Sequence, residues 1–221
     1  MLELRHTSHP SIRKLARIDN LSEVLPGGDL VYSKGEGKLI MSPLAVRYRM
    51  QGLDVTRFLD KRKTIFTGQR ETREGMQSIV TKEYAGKGEE QKAIAVKRLV
   101  DRYSDSDGDL NGIEQFTALR ALQAEGIPCA LPLAATKKEL ITEWVDKPLV
   151  SKSREAMDAF PAYLDALDQK VVILQQKGKW QENCKVERQP ANYAIGDVAN
   201  PDILLRFIAI DPAYIHSSFY F

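Results

Sequence analysis

Hydrophobic positions along the chain switch between a period of two and a period near 3.6, and the switches divide it into short strands and a few helices. From Asp29 to Met41 the runs Leu30-Val31-Tyr32 and Leu39-Ile40-Met41, joined by Gly35-Glu-Gly37, predict a β-hairpin. A helical stretch carrying Leu44, Val46, Tyr48, Leu53, Val55, Phe58 and Leu59 follows, interrupted at Gly52. Residues 64–67 and 77–84 predict two further strands around a polar turn bounded by Gly68 and Gly75. Ile94, Val96, Leu99, Val100 and Tyr103, with basic residues between them, predict a helix over about 89–103.

An acidic link over residues 104–112 leads into a helix with Phe116, Leu119 and Leu122, which Gly126 and Pro128 stop. Residues 130–134 and 139–145 read as strands, and a long helix from about 159 to 177 presents Tyr163, Leu164, Leu167, Val171, Ile173 and Leu174. The end is β again, with 193–195 and 204–210 flanking a turn over 196–201. Residues 1–28, broken by Pro10, Pro26 and Gly27-Gly28, read as a mobile leader with room for one short helix. The expected architecture is a single α+β domain over residues 29–221.

Composition narrows the function classes. Thirty-two Lys and Arg against 30 Asp and Glu give a net charge of +2, with the signs interspersed, so no nucleic-acid partner is expected. No run approaches the roughly 18 apolar residues of a membrane span, and the basic stretch from Arg5 to Arg17 lacks the apolar core of a secretory signal. A cytoplasmic home follows, or delivery into a host cell without a cleavable signal. Cys129 and Cys184 stand 55 positions apart with no metal-ligand spacing, so neither a disulfide nor a zinc site is expected. The three histidines, His6, His9 and His216, lie near the ends and build no Ser-His-Asp order.

Several segments carry candidate chemistry. Ile79-Val-Thr-Lys82 puts a cation on a strand. Glu114 opens the helix that runs to a Gly126-Ile-Pro128 exit, and Ile141-Thr-Glu143-Trp-Val145 ends a strand. Gln189-Pro-Ala-Asn192 and Phe207-Ile-Ala-Ile-Asp211-Pro end the sequence pattern with an Asn and an Asp on neighbouring short strands, a pair of hard oxygen donors suited to Mg²⁺. In this order the segments resemble a protein kinase in compressed form, similar to the shortened effector kinases of pathogenic bacteria and, more distantly, to lipopolysaccharide sugar kinases. The resemblance covers residues 64–215 loosely and residues 1–63 not at all.

The resemblance implies a β-rich N-lobe with one helix over about 29–145 and a truncated C-lobe over about 146–221. It implies ATP and Mg²⁺ as cofactors, with Lys82 on the phosphates and Glu114 holding that lysine, although the family's apolar spacing after its glutamate fits Gln115 better. It further implies backbone groups of Glu143 and Val145 on the adenine, and Asn192 and Asp211 on Mg²⁺. Glu187 stands five residues before Asn192, where the family has its catalytic aspartate, and no full GxGxxG loop precedes Lys82. Two functions are therefore expected: a kinase with a protein substrate, in which Glu187 serves as base and Asp211 as the metal-binding catalytic carboxylate, or an inactive pseudokinase-like module that binds a host protein. A calcium loop fails in either register: starting at Asp107 its twelfth position would be Ala118 where a glutamate is needed, and starting at Asp105 Leu110 takes the glycine position and Phe116 the twelfth.

Overall fold

The computed structural model describes residues 21–34, 37–59, 79–86, 91–98, 111–182, 184–211 and 213–215. They form an α+β fold dominated by one antiparallel sheet of seven strands. In chain order these are β1 (Leu21–Val24), β2 (Leu30–Lys34), β3 (Gly37–Met41), β4 (Ile79–Ala85), β5 (Lys92–Arg98), β6 (Pro132–Ala135) and β7 (Glu139–Glu143). Their spatial order is β1-β2-β3-β6-β7-β5-β4.

The predicted hairpin over 29–41 is present as β2 and β3, with Leu30 opposite Met41 and Lys34 opposite Gly37. Residues 21–28, within the stretch read as a leader, add β1 and its turn to the same sheet, Val24 opposite Leu30. The strand predicted over 64–67 and the glycine turn over 68–75 lie outside the described residues.

The helix expected over 89–103 is replaced by β5, which pairs with β4 on one side and β7 on the other. Its residues alternate as a strand requires: Ile94 and Val96 are fully buried, while Ala93, Ala95 and Lys97 lie on the opposite face and are half-buried. The β-branched pair at 94 and 96 favours this pleat, and the same two residues also fit a helical stripe once Leu99, Val100 and Tyr103 are counted with them. The segment 99–103 lies outside the described residues.

Two helices cover the two faces of the sheet. The helix α1 (Pro43–Met50) starts from Ser42, whose Oγ accepts the Ala45 N–H at 3.3 Å, with proline at its first position, where no N–H is needed. It continues through Asp54 into a 3₁₀ turn, Val55–Phe58, instead of the longer helix expected there. Its buried face joins Met41, Ile94, Val96, Leu133 and Ile141 in one cluster. The helix α2 (Gly112–Ala124) packs Phe116 and Leu119 against Val31, Ile40 and Leu140 on the other face.

The helix α3 (Arg154–Gln176) anchors the last third of the chain. It starts five residues before the expected position 159, from Ser153, and Gly178 ends it with φ +64°, as expected from the sequence. It buries Phe160 and Tyr163 edge-on against Tyr193 and Phe207. Those partners belong to one small hairpin, β9 (Tyr193–Ile195) with β10 (Phe207–Ala209), and a second small pair joins β8 (Cys184–Val186) to β11 (Ala213–Ile215). Both cysteines are free thiols, and no described helix is long and apolar enough to cross a membrane.

Candidate functional site

The sheet and the open end of the β9–β10 hairpin meet around a cavity of about 340 Å³. Its upper wall is the non-α1 face of the sheet, with Val80 from β4, Ala95 and Lys97 from β5, and Leu140 and Thr142 from β7. The chain leaving β7 supplies Glu143, Trp144, Val145 and Lys147 along one edge, and Asn192, Ile210 and Asp211 form the floor. Most of this surface is apolar, with Lys97 and Asp211 at one end and Glu143 and Lys147 along the edge.

Backbone hydrogen bonds bring Asn192 and Asp211 together. Pairing of Tyr193 with Ala209 closes the β9–β10 hairpin. At its open end the Asn192 carbonyl accepts N–H groups from both Ile210, at 2.9 Å, and Asp211, at 3.2 Å. The hairpin is tied to the sheet half because Ala209 donates to Pro128 O at 3.0 Å and accepts from Ala130 N at 2.8 Å. The segment that follows α2 thus fixes the height of Asp211 under the sheet.

Lys97 reaches down from β5, and its Nζ donates to Asp211 Oδ2. The pair is only 16% and 25% exposed, so both charges are substantially desolvated and hold each other in place. Removing either partner leaves the other as an uncompensated half-buried charge.

The sequence-derived candidates separate into two groups. Glu143, Val145, Asn192 and Asp211 all line the cavity. Lys82, Glu114 and Glu187 are not among its lining residues. Lys82 is exposed on β4 with its Nζ 4.8 Å from the Trp144 ring centroid and 5.8 Å from that of Tyr84, a cation held over aromatic faces. The strand cation at the cavity is Lys97, which faces the opposite end of the wall.

Glu114 is spent on the start of α2: its Oε2 accepts the Asn111 N–H at 2.8 Å while Asn111 Oδ1 accepts from Glu114 N at 3.1 Å, a reciprocal cap. Gln115 is buried on the neighbouring face of that helix. Glu187 Oε1 accepts the N–H groups of Arg188 at 2.8 Å and Gln189 at 2.9 Å, which closes the turn leading to Asn192. The same turn is held from below by Tyr193, whose hydroxyl donates to Glu187 O at 2.6 Å.

Lys97 is not among the residues that the sequence singles out, because the segment around it also fits a helical period. The signal was present in Ala93-Ile94-Ala95-Val96-Lys97, where small and β-branched residues alternate up to a lysine on the small-residue side. Among the described residues no three His, Cys, Asp or Glu side chains gather as a metal-binding cluster. Comparison of the chain with protein-family models, curated proteins and solved structures finds no match in any of the three.

Proposed function

We propose that the chain is an ATP-dependent phosphotransferase of compressed protein-kinase type, with Lys97 in the phosphate-binding role. The observation that carries this reading is the meeting of Lys97, Asp211 and Asn192 at one end of an apolar cavity whose edge is the strand exit Glu143-Trp144-Val145. A purine would lie between Ala95 and Leu140 above and Ile210 below, with its edge against the backbone of 143–145. The phosphates would then extend to Lys97.

Asn192 and Asp211 fit Mg²⁺ by donor chemistry: a neutral amide oxygen and a carboxylate, fixed next to each other by the Asn192 carbonyl, leave room for the waters and phosphate oxygens that this ion keeps. Bound there, Mg²⁺ would supply neutralisation of charge on the phosphates. Lys97 contributes a fixed cation and Asp211 an anchored carboxylate, and phosphoryl transfer depends mostly on such positioning. Glu187 lies at the start of the Asn192 turn and outside the cavity lining, and in this reading it would meet the acceptor hydroxyl. Its Oε1 is held by two N–H groups, so Oε2 is the atom to orient that hydroxyl.

The test is turnover: purified protein with MgATP should release ADP, and Asp211→Asn should abolish the release while remaining folded. Glu187's engagement in its own turn favours a second reading, a nucleotide-binding module without transfer that docks on a protein partner. MgATP binding with no ADP release, with or without candidate acceptors, selects that reading. The acceptor is proposed to be a protein, and the partner in the second reading a host protein.

A further inference from the structure

The N-terminal unit, residues 21–59, lies outside the part of the chain that the kinase resemblance covers, yet it makes two hydrogen bonds to the adjacent rungs of the sheet that end at the cavity edge. On one rung Tyr84 pairs with Ala93, whose O accepts the Trp144 N–H at 3.0 Å, and on the next Ile94 pairs with Glu143. Arg57, in the 3₁₀ turn after α1, donates from Nη2 to Tyr84 O at 3.0 Å. Tyr48, in α1, donates its hydroxyl to Glu143 Oε1.

The geometry of β7 gives the second bond its meaning. Side chains alternate along a strand, so Ile141 and Glu143 face α1 while Thr142 faces the cavity. The Glu143 carboxylate is therefore turned away from a ligand, and its backbone is what the cavity edge presents. Tyr48 is 8% exposed and packed among Leu53, Ile94 and Ile141, so its hydroxyl has little freedom to leave that carboxylate. A buried phenol bonded to a carboxylate on the last residue of a strand restricts the rotation of the peptide that follows.

We propose that Tyr48 is a positioning residue for base recognition: through Glu143 it fixes the backbone of residues 143–145 against the purine edge, so that the N-terminal unit sets which base the cavity accepts. This inference rests on the nucleotide-binding reading of the cavity. Glu143 O, held in place, is an acceptor suited to an exocyclic amine, as on adenine, and unsuited to the carbonyl that inosine carries at the same place. Loosening the peptide would blunt this discrimination without touching Lys97 or Asp211.

The test compares dissociation constants of MgATP and Mg-inosine triphosphate by calorimetry for the wild type, Tyr48→Phe and Glu143→Gln. The wild type should prefer MgATP by about fivefold or more, the range one hydrogen bond supplies. Tyr48→Phe keeps the ring and its packing, and should bring the two constants to within about twofold of each other. Glu143→Gln retains an oxygen to accept the Tyr48 hydroxyl and should keep the preference. A purely structural role for Tyr48 would weaken both nucleotides equally, and an unchanged ratio in Tyr48→Phe overturns the proposal. Equal binding of the two nucleotides by the wild type overturns it as well, while leaving nucleotide binding intact. Failure of the wild type to bind either nucleotide overturns the reading of the cavity and this inference together.

Discussion

Lys97 Nζ on β5 and Asp211 Oδ2 beyond β10 form an ion pair across 114 residues of sequence, at one end of a largely apolar cavity. The pair spans the joint between the large sheet and the small hairpins, so it reports on both halves at once. Binding of a metal–nucleotide is expected to exchange this contact for contacts of Lys97 to phosphate and of Asp211 to metal.

Glycine at position 112 is required by packing and not by backbone angle. A Cβ there would stand 2.3 Å from the carbonyl oxygens of both Thr136 and Glu139, backbone atoms that cannot swing aside. Gly112→Ala should therefore force α2 away from the β6–β7 turn and cost about 1–3 kcal/mol, the usual range for overpacking. Chemical denaturation would read this as a lower midpoint, and an unchanged midpoint would mean that α2 docks differently.

The turn-closing role of Glu187 and its proposed role in transfer are separable. Glu187→Gln retains an oxygen for the Arg188 and Gln189 N–H groups, so stability should change by less than about 0.5 kcal/mol. Transfer to an acceptor should nonetheless fall about a hundredfold, because a neutral amide cannot take a hydroxyl proton. ADP release in the presence of acceptor measures this, and full retention of rate would confine Glu187 to its turn.

Alkaline pH should unfold the protein earlier than exposed groups alone would allow. Burial pushes the thiols of Cys184 and Cys129 up from 9.0 to about 11 and about 12. Burial, and then the hydrogen bond to Glu143, push the Tyr48 phenol up from 10.0 to about 12. Tyr163 and Tyr193 are raised further by the same cause. Each group is neutral when protonated and ionises more readily unfolded, so its stabilisation is complete below the unfolded value and is lost as pH climbs toward the folded one. The urea midpoint should be flat below about pH 8 and fall from about pH 9 upward, with a shallower fall above pH 10 in Tyr48→Phe. A flat profile through pH 11 would contradict the burial of these groups.

Much of this architecture is legible in the sequence because the relevant signals are local. The β2–β3 hairpin follows from two apolar runs around a glycine pair, and the end of α3 from Gly178 after a sustained helical stripe. The start of α3 is not legible in the same way: the apolar stripe begins only with Phe160, whereas Ser153 caps the true first turn and Pro161 sits exposed inside the helix. The segment around Lys97 was ambiguous for a physical reason. Ile94 and Val96 satisfy a strand, and Val96, Val100 and Tyr103 satisfy a helix; pairing with β4 and β7, which no local pattern reveals, selects the strand.

The site shows the same division. Asn192 and Asp211 were visible because each ends a short strand with a hard oxygen donor, and the structure sets them side by side. Glu114 misled because a glutamate three residues after an asparagine is equally the mark of a helix cap, and the cap is what the structure shows. The Tyr48–Glu143 contact joins residues 95 positions apart and has no sequence signature.

The most direct test of the central claim is thermal stability against MgATP for the wild type, Lys97→Met, Lys82→Met and Asp211→Asn. A ligand at 100 times its dissociation constant stabilises by about 2.7 kcal/mol, a shift of a few degrees for a chain of this size. The account predicts that the wild type and Lys82→Met shift upward together, while Lys97→Met and Asp211→Asn stay where they are without nucleotide. A wild type that does not shift, or a shift lost in Lys82→Met and kept in Lys97→Met, would contradict it.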